Sequence, residues 1–286
     1  MKSLATECTT HKPADSSSES IDFASLKERQ RATWATGDYA TVGLRIQIVG
    51  EMLVEALDLR AGERVIDVAA GNGNVTMAAA RRFAEVTSTD FVQSLLDKGA
   101  ERAGAEGLSV HFQVADAEAL PYADQSFDVA VSSFGVMFTP RQQKAASELI
   151  RVVRCGGRIG LANWTPEGFL GELFRLIGRH VPRVAGLKSP MLWGSEDYIV
   201  ELFGSQAADI HCNRRLCNFR FKSANHFVEF FRAFYGPIHK AFASLEPEQQ
   251  RSLASEFAAL LERHNVAGAG SLVVPAEYLE VVVTRS

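Results

Sequence analysis

The sequence contains few cysteines, and none of them form a pair. The four are Cys8, Cys155, Cys212 and Cys217, and no two of them form a C-x-x-C motif. This scatter argues against a structural zinc site and against a disulfide framework. It predicts reduced thiols in a cytoplasmic protein, with no bound metal.

The sequence also lacks a long apolar run and an excess of positive charge. No stretch approaches the roughly 20 apolar residues that span a bilayer, and the N-terminal MKSLATE has no apolar signal region. The net charge is −4, whereas nucleic-acid binding favours a basic surface. With 47% hydrophobic and 22% charged residues, the composition is that of an ordinary globular protein. These features predict a cytoplasmic protein without a membrane span or nucleic-acid partner.

Strand and helix patterns divide the chain into three parts. Residues 1–20 are polar and serine-rich, which predicts a disordered tail because they offer little apolar surface to bury. Residues 21–165 begin with two helical patterns and then alternate. The predicted strands are 64–69, 85–90, 110–114, 127–132 and 158–164, and the helices between them are 75–83, 92–103 and 142–153. This alternation predicts a core with a parallel sheet and right-handed crossovers.

The last part, residues 166–286, predicts a helical cap and a return to the sheet. A helix is expected at 169–181, and more helices across 223–264, broken at Gly236-Pro237 and at Pro247. Residues 210–221 are of β type, and residues 272–284 alternate as in a final strand. The expected fold class is α/β and doubly wound, with a mostly parallel sheet.

The run 65–74, VIDVAAGNGN, is the most informative motif. It reads as a buried strand that ends at Gly71 and Gly73, followed by a helix. Neither glycine has a Cβ, so the backbone can approach a ligand closely. A strand, a glycine turn and a helix N-terminus form the usual nucleotide-binding corner of a doubly wound sheet.

Two further residues narrow the range of ligands that fit this site. Asp90 ends the second predicted strand, where a carboxylate can accept hydrogen bonds from both ribose hydroxyls; a loop aspartate or a helix N-cap is the alternative. Thr76 stands where the G-x-G-x-x-G/A fingerprint of dinucleotide sites requires glycine or alanine. A nucleoside ligand without phosphates therefore fits better, and a nucleotide-dependent oxidoreductase is left as an alternative.

Four motifs in order resemble those of class I S-adenosylmethionine-dependent methyltransferases. Residues 65–74 are similar to motif I in its ubiquinone/menaquinone-type form, and Asp90 matches the acidic ribose position. Residues 114–128 and 148–157 resemble the later motifs, with Cys155 in place of the usual proline. The resemblance covers roughly residues 34–165. It implies a seven-stranded Rossmann-like methyltransferase sheet with N-terminal helices and a helical C-terminal cap, and S-adenosylmethionine as the cofactor.

The resemblance also implies a set of cofactor-binding residues. In relatives the aspartate at the position of Asp116 binds the adenine amino group, and the next residue, here Ala117, donates a backbone N–H. The full set is Asp67, Ala69, Gly71, Gly73, Asp90, Phe91, Asp116, Ala117 and Ser133. Asp128 is interpreted as structural, because an aspartate that enters a buried strand more often orients backbone.

Aromatic and apolar residues predict the acceptor pocket, and they come from the segment before the glycine motif, from the ends of the fourth and fifth strands and from the C-terminal part. They are Trp34, Tyr39, Phe134, Met137, Trp164, Trp193 and Tyr235. Residues 34–39 are a candidate lid whose rings could attract the sulfonium, or could simply pack in the core. Methyl transfer mainly requires alignment, with any proton removed by a nearby base. Tyr39 and His239 are the candidate catalytic residues; His239 lies four residues after Tyr235 on the predicted helix.

The sequence thus predicts in-line transfer of a methyl group from S-adenosylmethionine to O, N or C of a small, partly apolar molecule. A non-catalytic protein that binds the cofactor on the same fold stays open, since fold does not dictate function. The oligomeric state is open between a monomer and a homodimer.

Overall fold

A computed structural model describes residues 21–181 and 184–286. The predicted disordered tail lies outside the described residues. The strands are β1 Arg64–Val68, β2 Glu85–Asp90, β3 His111–Val114, β4 Phe127–Ser133, β5 Val153–Trp164, β6 Ala207–Phe221 and β7 Leu272–Arg285. They form one sheet in the order β3-β2-β1-β4-β5-β7-β6.

The helices pack around this sheet and over one end of it. They are α1 Phe23–Ala35, α2 Tyr39–Gly43, α3 Gln47–Ala56, α4 Asn74–Ala80, α5 Gln93–Ala105, α6 Gln142–Val152, α7 Phe169–His180, α8 Glu196–Phe203, α9 Ala224–Phe234, α10 Gly236–Ala243 and α11 Pro247–His264. In the described parts of the chain, no helix has both the length and the apolar composition to cross a bilayer.

One strand of the sheet, β7, runs opposite to all the others. Strands β1 to β5 run parallel, and β7 lies antiparallel between β5 and β6. The central strands are almost wholly apolar and fully buried, as Val65, Ile66, Val129 and Val131 show, because helices cover both faces of a parallel sheet. The predicted α/β fold with a mostly parallel sheet of seven strands is confirmed.

Strand β5 differs most from its predicted bounds. Residues 156–157 were expected to precede β5, but β5 begins at Val153 and contains both glycines. Gly156 has φ +70°, and the register with β4 shifts between Phe127 and Val129. The glycines therefore form an irregularity inside the strand, because a left-handed residue interrupts pairing without ending it.

The cap is held together by phenylalanine rings. Phe227 of α9 contacts Phe169 of α7, Phe219 of β6 and Phe257 of α11, with ring centroids 5.6–6.0 Å apart. Each such aromatic pair contributes more to stability than the burial of its apolar area alone. This packing fixes α7 and α9 over the carboxyl ends of the parallel strands, where ligands bind in folds of this kind.

Candidate functional site

The loop after β1 forms the floor of the candidate site. Ala69, Gly71 and Gly73 all have positive φ, of +55°, +58° and +83°. Left-handed backbone is costly for alanine and easy for glycine, so the loop is strained at Ala69 and unstrained at Gly71 and Gly73. It turns the chain sharply from β1 into α4, and Gly73 serves as the N-cap of that helix.

Asp67 is buried beneath this loop. Its Oδ2 accepts hydrogen bonds from the Thr76 backbone N–H at 2.9 Å and the Thr76 hydroxyl at 2.6 Å. Thr76 stands where a dinucleotide site requires a small residue, and here it fixes the Asp67 side chain through two hydrogen bonds. The other oxygen, Oδ1, is buried without a hydrogen-bond partner in the described structure. Burial raises the pKa of Asp67 to about 7.

Asp90 reaches back to the same loop from the end of β2. Its Oδ2 accepts the Gly71 N–H and its Oδ1 accepts the Val92 N–H, both at 2.9 Å. The side chain is buried at the cavity wall, and burial raises its pKa to about 6. Since each carboxylate oxygen has two lone pairs, both oxygens can still accept a hydrogen bond from a ligand hydroxyl.

The third carboxylate, Asp116, lies beyond β3 and is bound by the N-terminal helix. Its Oδ1 accepts the Glu118 N–H at 2.9 Å, and its Oδ2 contacts the Lys27 Nζ at 2.6 Å. Lys27 also contacts the buried Glu118 carboxylate at 2.5 Å. Helix α1 is therefore connected to the edge of the site by an ion-paired cluster.

A cavity of about 240 Å³ joins these carboxylates to an aromatic chamber. Trp34 is central to one wall, with ring centroids 5.5 Å from Tyr39, 5.0 Å from Phe138 and 6.0 Å from Tyr235. The opposite wall includes Phe134 and Trp164, whose rings stack in parallel at 3.8 Å.

Most of the predicted site residues line this one cavity. On the cofactor side these are Asp67, Ala69, Gly71, Asp90, Phe91, Asp116, Ala117 and Ser133, and on the acceptor side Trp34, Tyr39, Phe134, Trp164 and Tyr235. Gly73 is not part of the lining, since it lies at the helix N-cap. Asp128 is also absent from it and pairs instead with Arg64 and Arg154, which hold the pKa of its carboxyl well below its usual range.

Besides Gly73, three further predicted site residues lie outside the cavity lining. Met137 is fully buried and does not line the cavity. The residue that follows it, Phe138, lines the cavity instead. Trp193 is fully buried outside the cavity and packs on Phe203 at 6.1 Å. His239 is exposed, and its Nδ1 lies 3.2 Å from the Arg232 carbonyl oxygen.

The position of His239 has a clear backbone cause. Tyr235 has φ −103° and ψ +108°, so it is extended between α9 and α10 and is not part of a continuous helix. The four-residue spacing therefore does not put His239 on the face of Tyr235. The expectation that the two share a face is wrong.

The structure adds cavity residues that the sequence reasoning missed. They include Lys27 and Gln30 of α1 and the α7 residues Leu170, Leu173, Phe174 and Ile177. The α7 set follows helical spacing, which predicts an apolar face but not what that face contacts. Phe227 and Phe231 are buried in the cap and also line the cavity.

The side chains present fit S-adenosylmethionine. The unpartnered Asp67 Oδ1 offers an acceptor for the methionine ammonium group, and Asp90 can accept from both ribose hydroxyls. Asp116 also lines the cavity and would accept from the adenine amino group, as its position in the resembling family implies, and the aromatic rings would face the sulfonium. Among the described residues, no group of three or more His, Cys, Asp or Glu is placed to hold a metal.

Cofactor affinity is expected to fall on acidification. Asp67 and Asp90 must be ionised to accept fully, and their pKa values of about 7 and about 6 lie well above 3.8. Calorimetry with S-adenosylhomocysteine should show roughly tenfold weaker binding or more at pH 5.5 than at pH 8. Constant affinity over this range would show that neither carboxylate contacts the cofactor.

The same two groups act on the stability of the cofactor-free protein with a definite sign. Their pKa values are raised by folding, so the native state binds these protons more tightly than the unfolded chain. Their contribution to stability is therefore complete below about pH 4 and is lost as the pH rises through 6 to 7.

Tyr39→Phe is expected to leave the thermal stability unchanged or to raise it, by up to about 1 kcal/mol. The Tyr39 hydroxyl is buried, and the nearby Gly236 N–H does not reach hydrogen-bond geometry with it. Removing an unsatisfied hydroxyl relieves a desolvation cost. A thermal melt checks this; a loss of several degrees would show that the hydroxyl has a structural partner.

Comparison with known proteins places this site in a family. Residues 65–157 match a family model described as a methyltransferase domain. An uncharacterised protein of Mycobacterium tuberculosis is 41% identical over 254 residues, covering 87% of this chain and 91% of its own length. A demethylmenaquinone methyltransferase of Deinococcus radiodurans is 38% identical over 131 residues, covering 44% of this chain and 54% of its own length.

A solved structure shares the fold. The YcgJ protein of Bacillus subtilis superimposes with a TM-score of 0.59 at 18% identity, covering 83% of this chain and 98% of its own. The sheet order, the strained loop after β1 and the carboxylates behind it agree with the sequence matches. The chain belongs to the class I S-adenosylmethionine-dependent methyltransferases, and about half of it is similar to ubiquinone/menaquinone-type members.

Proposed function

We propose that this methyltransferase methylates a small, uncharged molecule with an apolar, ring-bearing body, at an oxygen or carbon atom. The observation that carries the proposal is the separation of charge in the cavity. Among the described lining residues, the charged ones are Lys27, Asp67, Asp90, Asp116 and Glu118, and all belong to the cofactor end. The acceptor end is lined by aromatic and aliphatic side chains.

This distribution disfavours acceptors with a permanent charge. A charged group in the aromatic chamber would lose its hydration and find no counter-charge other than the sulfonium. A cation would in addition be repelled by the sulfonium. A neutral ring system would lose little hydration and gain contact with Trp34, Phe134, Phe138 and Trp164.

The chamber also offers no evident general base. The described residues that line it include no histidine, and the carboxylates lie at the cofactor end. Burial raises the pKa of Tyr39 and of Tyr235 far above neutrality, so both hydroxyls stay protonated. As a catalytic candidate Tyr39 is therefore a hydrogen-bond donor and not a base.

The acceptor must then supply its own nucleophile. A phenol or enol can ionise beside a sulfonium, because the positive charge stabilises the anion in an apolar cavity. The proton that the acceptor releases passes to solvent water. The anion attacks the methyl carbon in line through its oxygen or its ring carbon, the methyl–sulfur bond breaks, and S-adenosylhomocysteine leaves. After attack through a ring carbon, the hydrogen on that carbon is lost to water as a proton. The matched enzyme of Deinococcus radiodurans is named for a demethylmenaquinone, which belongs to this chemical class once reduced.

A screen with methyl-labelled S-adenosylmethionine tests the proposal. Apolar phenols, enols and a demethylmenaquinol would be compared with the same rings carrying a trimethylammonium or sulfonate group. Label should enter the neutral rings at O or C and not the charged ones, and Asp90→Asn should abolish transfer. Faster transfer to the charged rings, or label found only on amines, would contradict the proposal.

A further inference from the structure

Helix α1 forms a wall of the site although it buries very little of itself. Of the residues of α1, which the structure describes in full, only Leu26 is buried. Lys27, Gln30 and Trp34 lie at helical spacing and line the cavity. A helix with so little apolar contact has low local stability, and its polar contacts decide whether it stays in place.

Those polar contacts converge on Lys27. Its Nζ lies 2.6 Å from the Asp116 Oδ2 and 2.5 Å from the Glu118 Oε2, and its side chain is 18% exposed. Glu118 is fully buried, and Arg141 anchors it through its backbone N–H at 2.8 Å and its Nε at 2.7 Å. Lys27 thus joins a weakly packed helix to a rigidly held carboxylate at the adenine end of the cavity.

The same helix also completes the acceptor chamber. Trp34 contacts Tyr39, Phe138 and Tyr235 and lies two helical turns from Lys27. Gln30, between them, donates to the Phe138 carbonyl oxygen at 3.3 Å. If α1 moves away, the adenine end opens and the acceptor chamber loses a wall at the same time.

We propose that Lys27 is a latch: its ion pair with Asp116 and Glu118 holds α1 closed over the bound cofactor, and the cofactor exchanges only when this pair opens. The latch makes the cofactor bind first, because the chamber for the acceptor exists only with α1 closed. It retains S-adenosylhomocysteine until α1 opens. The inference rests on the cofactor site proposed above and is independent of the acceptor.

Lys27→Met tests the latch with the full chain and S-adenosylhomocysteine alone. Methionine keeps the length and apolar stem of the lysine, and Arg141 still pairs with Glu118. We expect release of S-adenosylhomocysteine, measured by stopped-flow fluorescence, to become roughly tenfold faster, since loss of a desolvated charge pair acts on the dissociation rate. Hydrogen exchange should show that the amides of residues 23–35 lose the protection that the cofactor confers.

Two matched variants distinguish a latch from a structural contact. Arg31→Gln removes the exposed pair of Arg31 with Glu28 on the same helix and should behave like the unmodified protein. Lys27→Arg keeps a cation at the latch and should restore slow release. Melting temperatures within a few degrees of one another would show that the effect is local.

Three results would overturn the inference. Unchanged release of S-adenosylhomocysteine and unchanged protection of residues 23–35 in Lys27→Met would show that the ion pair of Lys27 does not hold α1 closed. Faster release with full protection of residues 23–35 would mean that Lys27 only orients Asp116. Failure of the unmodified protein to bind S-adenosylhomocysteine would overturn the cofactor site together with the latch, whereas normal binding with an inert Lys27→Met overturns the latch alone.

Discussion

Asp90→Asn is expected to weaken S-adenosylmethionine binding by roughly 100-fold, the equivalent of about 2.7 kcal/mol. Asparagine keeps the shape but loses the negative charge, and charge-assisted hydrogen bonds are about twice as strong as neutral ones. In asparagine, an NH₂ group that donates hydrogen bonds also replaces one of the two carboxylate oxygens. That donor would face the N–H of Gly71 or of Val92, which Asp90 now accepts at 2.9 Å. Both the ribose contact and the loop geometry would suffer.

Isothermal titration with S-adenosylhomocysteine measures this effect. The control is Asp97→Asn on α5, an exposed aspartate near Asp90 in sequence that accepts only from the Gln93 side chain in the described structure. It should bind like the unmodified protein. Far-ultraviolet circular dichroism should be the same for both variants. Affinity in Asp90→Asn within threefold of normal would remove Asp90 from the cofactor site.

Gly135→Ala is expected to destabilise the protein by about 3 kcal/mol and to lower cofactor affinity at the same time. Gly135 has φ −98°, which alanine adopts without strain, so the effect comes from contact alone. A Cβ there would lie 2.2 Å from the Ala69 carbonyl oxygen, far inside contact distance. Ala69 belongs to the loop that forms the floor of the cofactor site, so relief of the clash must displace that loop.

A thermal melt and a titration with S-adenosylhomocysteine test this together. The melting temperature should fall by roughly 5–10 °C. Gly104→Ala is the control, since it lies in α5 and a Cβ there meets nothing within 4 Å. It should be neutral or stabilising by up to about 1 kcal/mol, because alanine favours helix over glycine. A Gly135→Ala protein as stable as Gly104→Ala would show that β4 and the loop can separate without cost.

The cofactor half of the molecule was predictable from local patterns. Residues 65–74 predicted a strand, a glycine turn and a helix, and the structure has β1, the left-handed loop and α4 there. Strand β2 has its predicted bounds, so Asp90 could be placed at a strand end. Parallel strands bring their carboxyl ends to one edge of the sheet, and this rule carries Asp67, Asp90 and Asp116 to the same cavity.

The acceptor half was predicted less well because it depends on how separate elements meet. Trp193 and Met137 are apolar residues that were predicted to line the acceptor pocket, yet each is buried in the core, whereas Phe138 lines the cavity. The error at His239 came from applying helical spacing across the break at Gly236-Pro237, where Tyr235 is extended between α9 and α10. Hydrophobic spacing shows that a face is buried, but not whether it is buried by protein or by a ligand cavity.

Local sequence was thus sufficient for the fold, because strand–turn–helix units and their polar end residues depend on neighbours a few positions apart. The methyl donor was implied by the resemblance of four such motifs to those of methyltransferases. The tertiary structure decided the acceptor chamber and the ion pairs of Lys27 with Asp116 and Glu118, which join residues about 90 positions apart. Such contacts depend on where the cap and α1 settle on the sheet. That position results from the packing of many side chains at once, and no single segment encodes it.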